Sequence, residues 1–257
     1  MKICVLGSSH IAALKHAVDN GALDGTDAEI AFFGAPGKNF SKMRMRKGVI
    51  RGPKSIRDKI LLVSEGRYAE IDPAKFDVLF FYGAFFNFHY LLGSIHHVLN
   101  LGVHLSDNCL SAGVDRWMAS KHIFRIASKA ANTNSATRVI LSPRPIPAIG
   151  ACDASEVEDP DENRGWLWER LEPSFRKKIW NLCKQSAERR GVESVFQPES
   201  TLDANQFTKA EYTANSRRLL RPDVSHGQTD VSHMNVRFGE DSLHGLLAYL
   251  ADTAAGR

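Results

Sequence analysis

Residues 1–10 read Met1-Lys2-Ile3-Cys4-Val5-Leu6-Gly7-Ser8-Ser9-His10, an apolar run that stops at a glycine and two serines. A helix is predicted to begin at once, over Ile11 to Val18. A strand, a glycine turn and a helix in that order place Ser9 at the carboxyl edge of a sheet and beside a helix N-terminus. The free N–H groups there favour a developing negative charge. That is a suitable seat for a nucleophile, although a turn glycine followed by an N-capping serine has the same local signature.

Outward from this turn the chain alternates strands and helices. Glu29 to Phe33 reads as a second strand ending in the turn Gly34-Ala35-Pro36-Gly37. Asp77 to Tyr82 is a continuous apolar run bounded by Gly83. Leu91, Ile95 and Val98 mark a helix, a further helix is predicted over Val114 to Ala130, and Arg138 to Leu141 is a fourth strand cut off by Pro143, Pro145 and Pro147. Phe175, Ile179 and Leu182 line a helix opened by Pro173 and stopped at Gly191, before a fifth short strand over Val192 to Phe196. Leu243, Leu246, Leu247 and Leu250 form the face of a final helix. This order predicts a three-layer, doubly wound (flavodoxin-like) α/β fold on a parallel sheet of about five strands, with ligands outside the strands' carboxyl ends.

At 257 residues, 43% of them apolar, one domain spanning 1–257 is the expectation. It carries two charged excursions. Lys38 to Lys59 holds nine Lys or Arg against the single acid Asp58, while the whole chain is only +4. The stretch reads as a solvated loop or as a flap that steers an anionic substrate. Phe40 is its one aromatic residue, which argues against nucleic acid. Residues 151–163 carry six acids and no base, the composition of an acidic surface loop. Cys4, Cys109, Cys152 and Cys183 are scattered, with no C-x-x-C pair, so reduced thiols in a cytoplasmic protein are expected rather than disulfides or zinc. No apolar run reaches the roughly 18 residues that a membrane span needs. His89, His96 and His97 lack a carboxylate at metal-ligand spacing, so no metal is expected. No cofactor is expected either. Gly7-x-Ser9-x-x-Ala12 is a degraded dinucleotide fingerprint, but Phe33-Gly34-Ala35 stands where a ribose-binding acid should follow. Ile11 likewise departs from the G-x-S-x-G elbow of α/β-hydrolases.

Near the end, Asp230-Val231-Ser232-His233 precedes the last helix. An Asp three residues before a His can accept its Nδ1 proton, leaving Nε2 free to take a proton from a serine. The same tetrapeptide occurs earlier as Asp223 to His226. That first copy follows Arg217, Arg218 and Arg221 and precedes Gly227, so it reads as a mobile, solvated link, and the second copy is the candidate.

Taken together, Gly7-Ser8-Ser9-His10 on the first β–α turn and Asp230-x-x-His233 before the last helix resemble the SGNH (GDSL-type) hydrolase family. The resemblance implies Ser9 as nucleophile, with His233 as base and Asp230 as its acid partner. It also implies an oxyanion hole from the Ser9 N–H, a glycine after strand two (Gly37, with Gly34 as the alternative) and an asparagine after strand three. Ser8 and His10 replace the family's usual Asp and Leu. The pattern would put the asparagine at position 85, where this chain has Phe85, and Asn87 is the nearest candidate. The implied activity is a serine esterase acting on a small-molecule or glycan ester, including an O-acetyl group on a carbohydrate. The alternatives are an O-acyltransferase using the same residues and a non-catalytic binding protein on the same fold.

Overall fold

Strands buried on both faces carry no polar alternation, and the sheet of this protein follows that rule. The computed structural model describes residues 1–83, 86–148, 171–204, 206–227 and 229–255. Its central sheet pairs β1 (Lys2–Gly7), β2 (Glu29–Gly34), β6 (Val78–Tyr82), β7 (Arg138–Ser142) and β8 (Glu193–Ser194), all parallel, in the order β2-β1-β6-β7-β8. Successive side chains enter two separate cores. Cys4, Leu6, Ala31, Phe33, Leu79, Phe81, Val139 and Leu141 meet helices α3 (Phe88–Asn100), α4 (Asp107–Ser120), α5 (His122–Thr133) and α6 (Pro173–Glu188) on one face. Ile3, Val5, Ile30, Phe32, Val78, Phe80 and Ile140 meet α1 (Ile11–Asp19) and α7 (Val236–Ala255) on the other. The result is the expected three-layer, doubly wound architecture.

Because β2 lies on one side of β1 and β6 on the other, the winding reverses at β1, and the carboxyl end of β1 borders a crevice. Glycines permit the close approach there. A Cβ on Gly34 would lie 2.2 Å from the Gly7 carbonyl oxygen, one on Gly7 would lie 2.4 Å from the Tyr82 carbonyl oxygen, and Gly83 takes φ +70° against His10.

Several expectations change. The predicted helix from Val114 to Ala130 is two helices, because Lys121 is extended with ψ 125°. There His122 Nε2 lies 2.7 Å from the Met43 carbonyl oxygen and Lys121 Nζ sits 4.3 Å over the Trp117 ring. The fifth strand is only Glu193–Ser194. The basic stretch is not a plain solvated loop. It forms a 3₁₀ turn (Gly37–Lys42), the hairpin β3 (Arg44–Arg46) and β4 (Val49–Arg51), which pairs with β5 (Glu70–Ile71), and the start of α2 (Arg57–Val63). Phe40, Met43, Ile50, Ile56 and Ile60 anchor it in the core. The expected acidic loop at 151–163, with Trp166, Trp168 and Cys152, lies outside the described residues. Trp180 packs edge-on to Phe88, 5.4 Å away. Cys4, Cys109 and Cys183 are free thiols. Among the described residues no helix is long and apolar enough to cross a membrane.

Candidate active site

Ser9 and His233 are 224 residues apart in sequence, yet each immediately precedes one of the two helices that pack side by side beneath the sheet. α1 begins two residues after Ser9 and α7 three residues after His233. The two helices approach closely at Gly239, where a Cβ would lie 2.1 Å from the Ala13 carbonyl oxygen. Asn235 secures the entry to α7: its backbone N–H donates to the Tyr212 carbonyl (2.7 Å) and its side-chain amide to the carbonyls of Glu211 and Ala214 (2.8 and 2.9 Å). The Ala148 N–H donates to the Val231 carbonyl (2.9 Å), tying the Asp230–His233 loop to the segment after β7.

Ser9 Oγ lies 3.0 Å from His233 Nε2, and His233 Nδ1 lies 2.7 Å from Asp230 Oδ2. A carboxylate only accepts, so Nδ1 carries the proton and Nε2 is the acceptor for the serine hydroxyl. The other Asp230 oxygen accepts from the backbone N–H groups of Ser232 and His233 (both 2.9 Å) and from Ser232 Oγ (3.0 Å). Burial pushes the Asp230 carboxyl up, but hydrogen bonds from His226 and His233 outweigh it and hold the group well below the usual carboxylate range. Burial pushes His233 down, only partly opposed by Asp230, so its imidazole stays neutral to lower pH than an ordinary histidine.

The first copy of the repeated tetrapeptide requires a correction. His226 does not sit in a mobile link. It follows β10 (Arg221–Ser225), which pairs antiparallel with β9 (Arg217–Arg218), and its backbone N–H donates to the Ser216 carbonyl (2.8 Å). Its ring stacks on His233 with centroids 3.9 Å apart and planes 8° apart, and its Nδ1 lies 3.1 Å from Asp230 Oδ2. His10 also stacks on His233, with centroids 4.8 Å and planes 11° apart. Sequence alone brings neither ring to His233; the duplication of Asp-Val-Ser-His is the available signal for His226, and His10 carries none beyond its place next to Ser9.

Gly37 follows β2 with φ +55° and open space where a side chain would stand. Asn87 follows β6 at the start of α3, gives no capping bond to that helix, and keeps its Oδ1 buried without a partner among the described residues. Both therefore sit at the carboxyl edge, on the two strands that flank β1. Phe85 lies outside the described residues. Among the described residues one cluster offers metal-type donors, His226, Asp230 and His233. Its two nitrogens already face one carboxylate oxygen at hydrogen-bond length, a pattern of proton sharing.

No protein-family model matches the chain, and no curated protein does. Among solved structures it is similar to the lipase Lip_vut3 from a goat rumen metagenome, at 11% identity and a TM-score of 0.42, over 96% of each chain. It is also similar to the periplasmic domain of a lipopolysaccharide acetyltransferase from Salmonella ser. Paratyphi A, at 11% identity and a TM-score of 0.43, over 97% of this chain and 83% of that one. A third similar structure is described as a GDSL-like lipase from Parabacteroides merdae, at 12% identity and a TM-score of 0.39, over 96% and 94%. These likenesses run along nearly the whole chain and leave individual residue roles to the geometry above.

Proposed function

We propose that this protein is a serine acyl-ester hydrolase of the SGNH type, with Ser9 as nucleophile, His233 as general base and acid, and Asp230 as the group that orients His233. The observation that carries this reading is the relay Ser9 Oγ to His233 Nε2 (3.0 Å) and His233 Nδ1 to Asp230 Oδ2 (2.7 Å) at the sheet's carboxyl edge. Ser9 Oγ attacks the ester carbonyl as its proton passes to Nε2. The imidazolium returns that proton to the departing alkoxide, and a water, deprotonated in the same way, releases the acid and regenerates Ser9. The N–H groups of Ser9 and Gly37, with the Asn87 side chain, are the proposed oxyanion donors. The substrate class is a small-molecule or glycan O-acyl ester. The basic stretch that follows Gly37 supports an anionic portion in it, and the free thiols of Cys4, Cys109 and Cys183 support a cytoplasmic setting.

The test pairs a fluorophosphonate probe with aryl esters of increasing chain length and then acetylated sugars. The parent is expected to label and to turn over ester, and Ser9→Ala to lose both, while Ser8→Ala keeps them. Folded parent protein that neither labels nor turns over ester would instead support a binding role. Acyl transfer to an added sugar hydroxyl in place of water would make the enzyme an acyltransferase with the same residues.

A further inference from the structure

His233 is held by more than its carboxylate. Two imidazoles stack on it, and one of them shares its hydrogen-bond acceptor. We propose that His226 is a positioning residue for the His233–Asp230 pair: its Nδ1–H donates to the same Asp230 Oδ2 that accepts from His233, while its ring fixes the plane of the His233 imidazole. This rests on the reading of Ser9, His233 and Asp230 as the reacting group.

His233 Nδ1 at 2.7 Å and His226 Nδ1 at 3.1 Å converge on Asp230 Oδ2, so one acceptor sets the tautomer of both rings. The near-parallel stack of His226 at 3.9 Å, joined by the near-parallel ring of His10 at 4.8 Å, opposes tipping of the His233 ring out of the plane that aims Nε2 at Ser9. His226 is itself anchored, by the backbone bond to Ser216 and by a side chain only 12% exposed. Its Nε2 is buried and without a partner, so the ring's one polar contact among the described residues is the one to Asp230.

Sharing also has an electrostatic consequence. An oxygen that accepts two N–H bonds has less negative charge to offer either donor, so a proton added to His233 is stabilised less than beside an unshared carboxylate. The titratable and charged groups facing His233 are Asp230, His226, His10 and the Arg144 guanidinium. Of these, His226 and His10 stack on the ring, and His226 also competes for its acceptor. Removing the His226 donor is therefore expected to raise the pH at which His233 takes up a proton.

Three variants separate the donor from the ring. His226→Asn keeps an N–H near the Nδ1 position, His226→Phe keeps a ring without the donor, and His226→Ala removes both. The His233 titration is followed by NMR of its Cε1–H in each unliganded protein, alongside the pH profile of kcat/KM. The midpoint and the acid limb of activity are expected to move to higher pH in His226→Phe and His226→Ala and to stay near the parent in His226→Asn. In His226→Ala kcat is expected to fall about tenfold or more with little change in KM, within the ~100-fold that a 1 Å misplacement costs. Parent-like midpoints in both His226→Phe and His226→Asn would overturn the proposal, even if His226→Ala does not fold. The NMR titration needs no turnover, so it decides the role of His226 even if the parent fails to label with the fluorophosphonate probe, a failure that would count against the Ser9 reading alone.

Discussion

His89, at the start of α3, is enclosed with its Nδ1 unpartnered among the described residues, and burial pushes its pKa down to about 3. Enclosure and the nearby Arg144 guanidinium push His10 well below the ordinary range as well. In the unfolded chain both imidazoles take a proton near pH 6.5, whereas in the fold they do not. The stability tied to their neutral forms is therefore complete above about pH 6.5 and is lost as the pH falls below it, at about 1.4 kcal/mol per unit for each group. Denaturant titrations should give a clearly lower midpoint at pH 5.5 than at pH 7.5, and a weaker pH dependence in His89→Leu; pH-independent midpoints would contradict this account. The carboxyl of Asp230, held low by its imidazole donors, adds a separate loss confined below about pH 4. In the proposed mechanism the base must be neutral, so the lowered pKa of His233 is expected to set the activity profile. kcat/KM is expected to stay level through neutral pH and to decline on the acid side below the usual histidine range near 6.5.

The pairing of α1 with α7 is the structural link between the two halves of the candidate site. It is made at Gly239, whose missing side chain lets α7 approach the backbone of α1 at Ala13. Gly239→Ala would drive a methyl into that carbonyl, which should cost about 1–3 kcal/mol as overpacking does. It should also part Ser9 from His233. The expected outcome is a lowered melting temperature together with slower fluorophosphonate labelling at temperatures where the variant is still folded. Unchanged labelling in the folded variant would show that the helix pairing does not set the geometry. Gly7 and Gly34 have the same role between strands, where β1, β2 and β6 meet.

Positive charge is unevenly distributed over the molecule. Arg44 and Arg46 of the β3 strand, Arg125 and Lys129 of α5, and Arg190 after α6 line an open basin of about 770 Å³ that has no acid in its lining. The basic stretch thus shares this basin with charges contributed from elsewhere in the chain. Charges in such an arrangement act on the approach of a substrate more than on bond breaking, and salt weakens them as the screening length shortens to about 10 Å at 0.1 M. Replacing Arg46, Arg125 and Lys129 with Gln should lower kcat/KM for a carboxylated aryl ester at low salt and leave a neutral aryl ester unchanged. Equal loss on both esters would point to a folding defect instead.

By itself the sequence determined what rests on neighbours along the chain: the apolar strand runs, the glycine turns that end β1, β2 and β6, the amphipathic faces of α3, α6 and α7, and the residue types of Ser9, Asp230 and His233 at suggestive positions. Short-range periodicity carries those signals because each element must bury one face. Only the tertiary structure decided that His226 and His10 close on His233, that the chain turns at Lys121 between α4 and α5, that Arg217 to Ser225 forms a hairpin, and that the basic stretch is anchored through Met43, Ile50 and Ile60. All but the hairpin depend on contacts between residues far apart in the chain, and such contacts leave no periodic trace; the hairpin pairs Arg218 with Arg221 through a short turn and bears none of the apolar alternation that marks a strand. The two copies of Asp-Val-Ser-His show the difference most sharply. They are identical as sequence, and only packing makes one imidazole the partner of Ser9 and the other its neighbour in the stack.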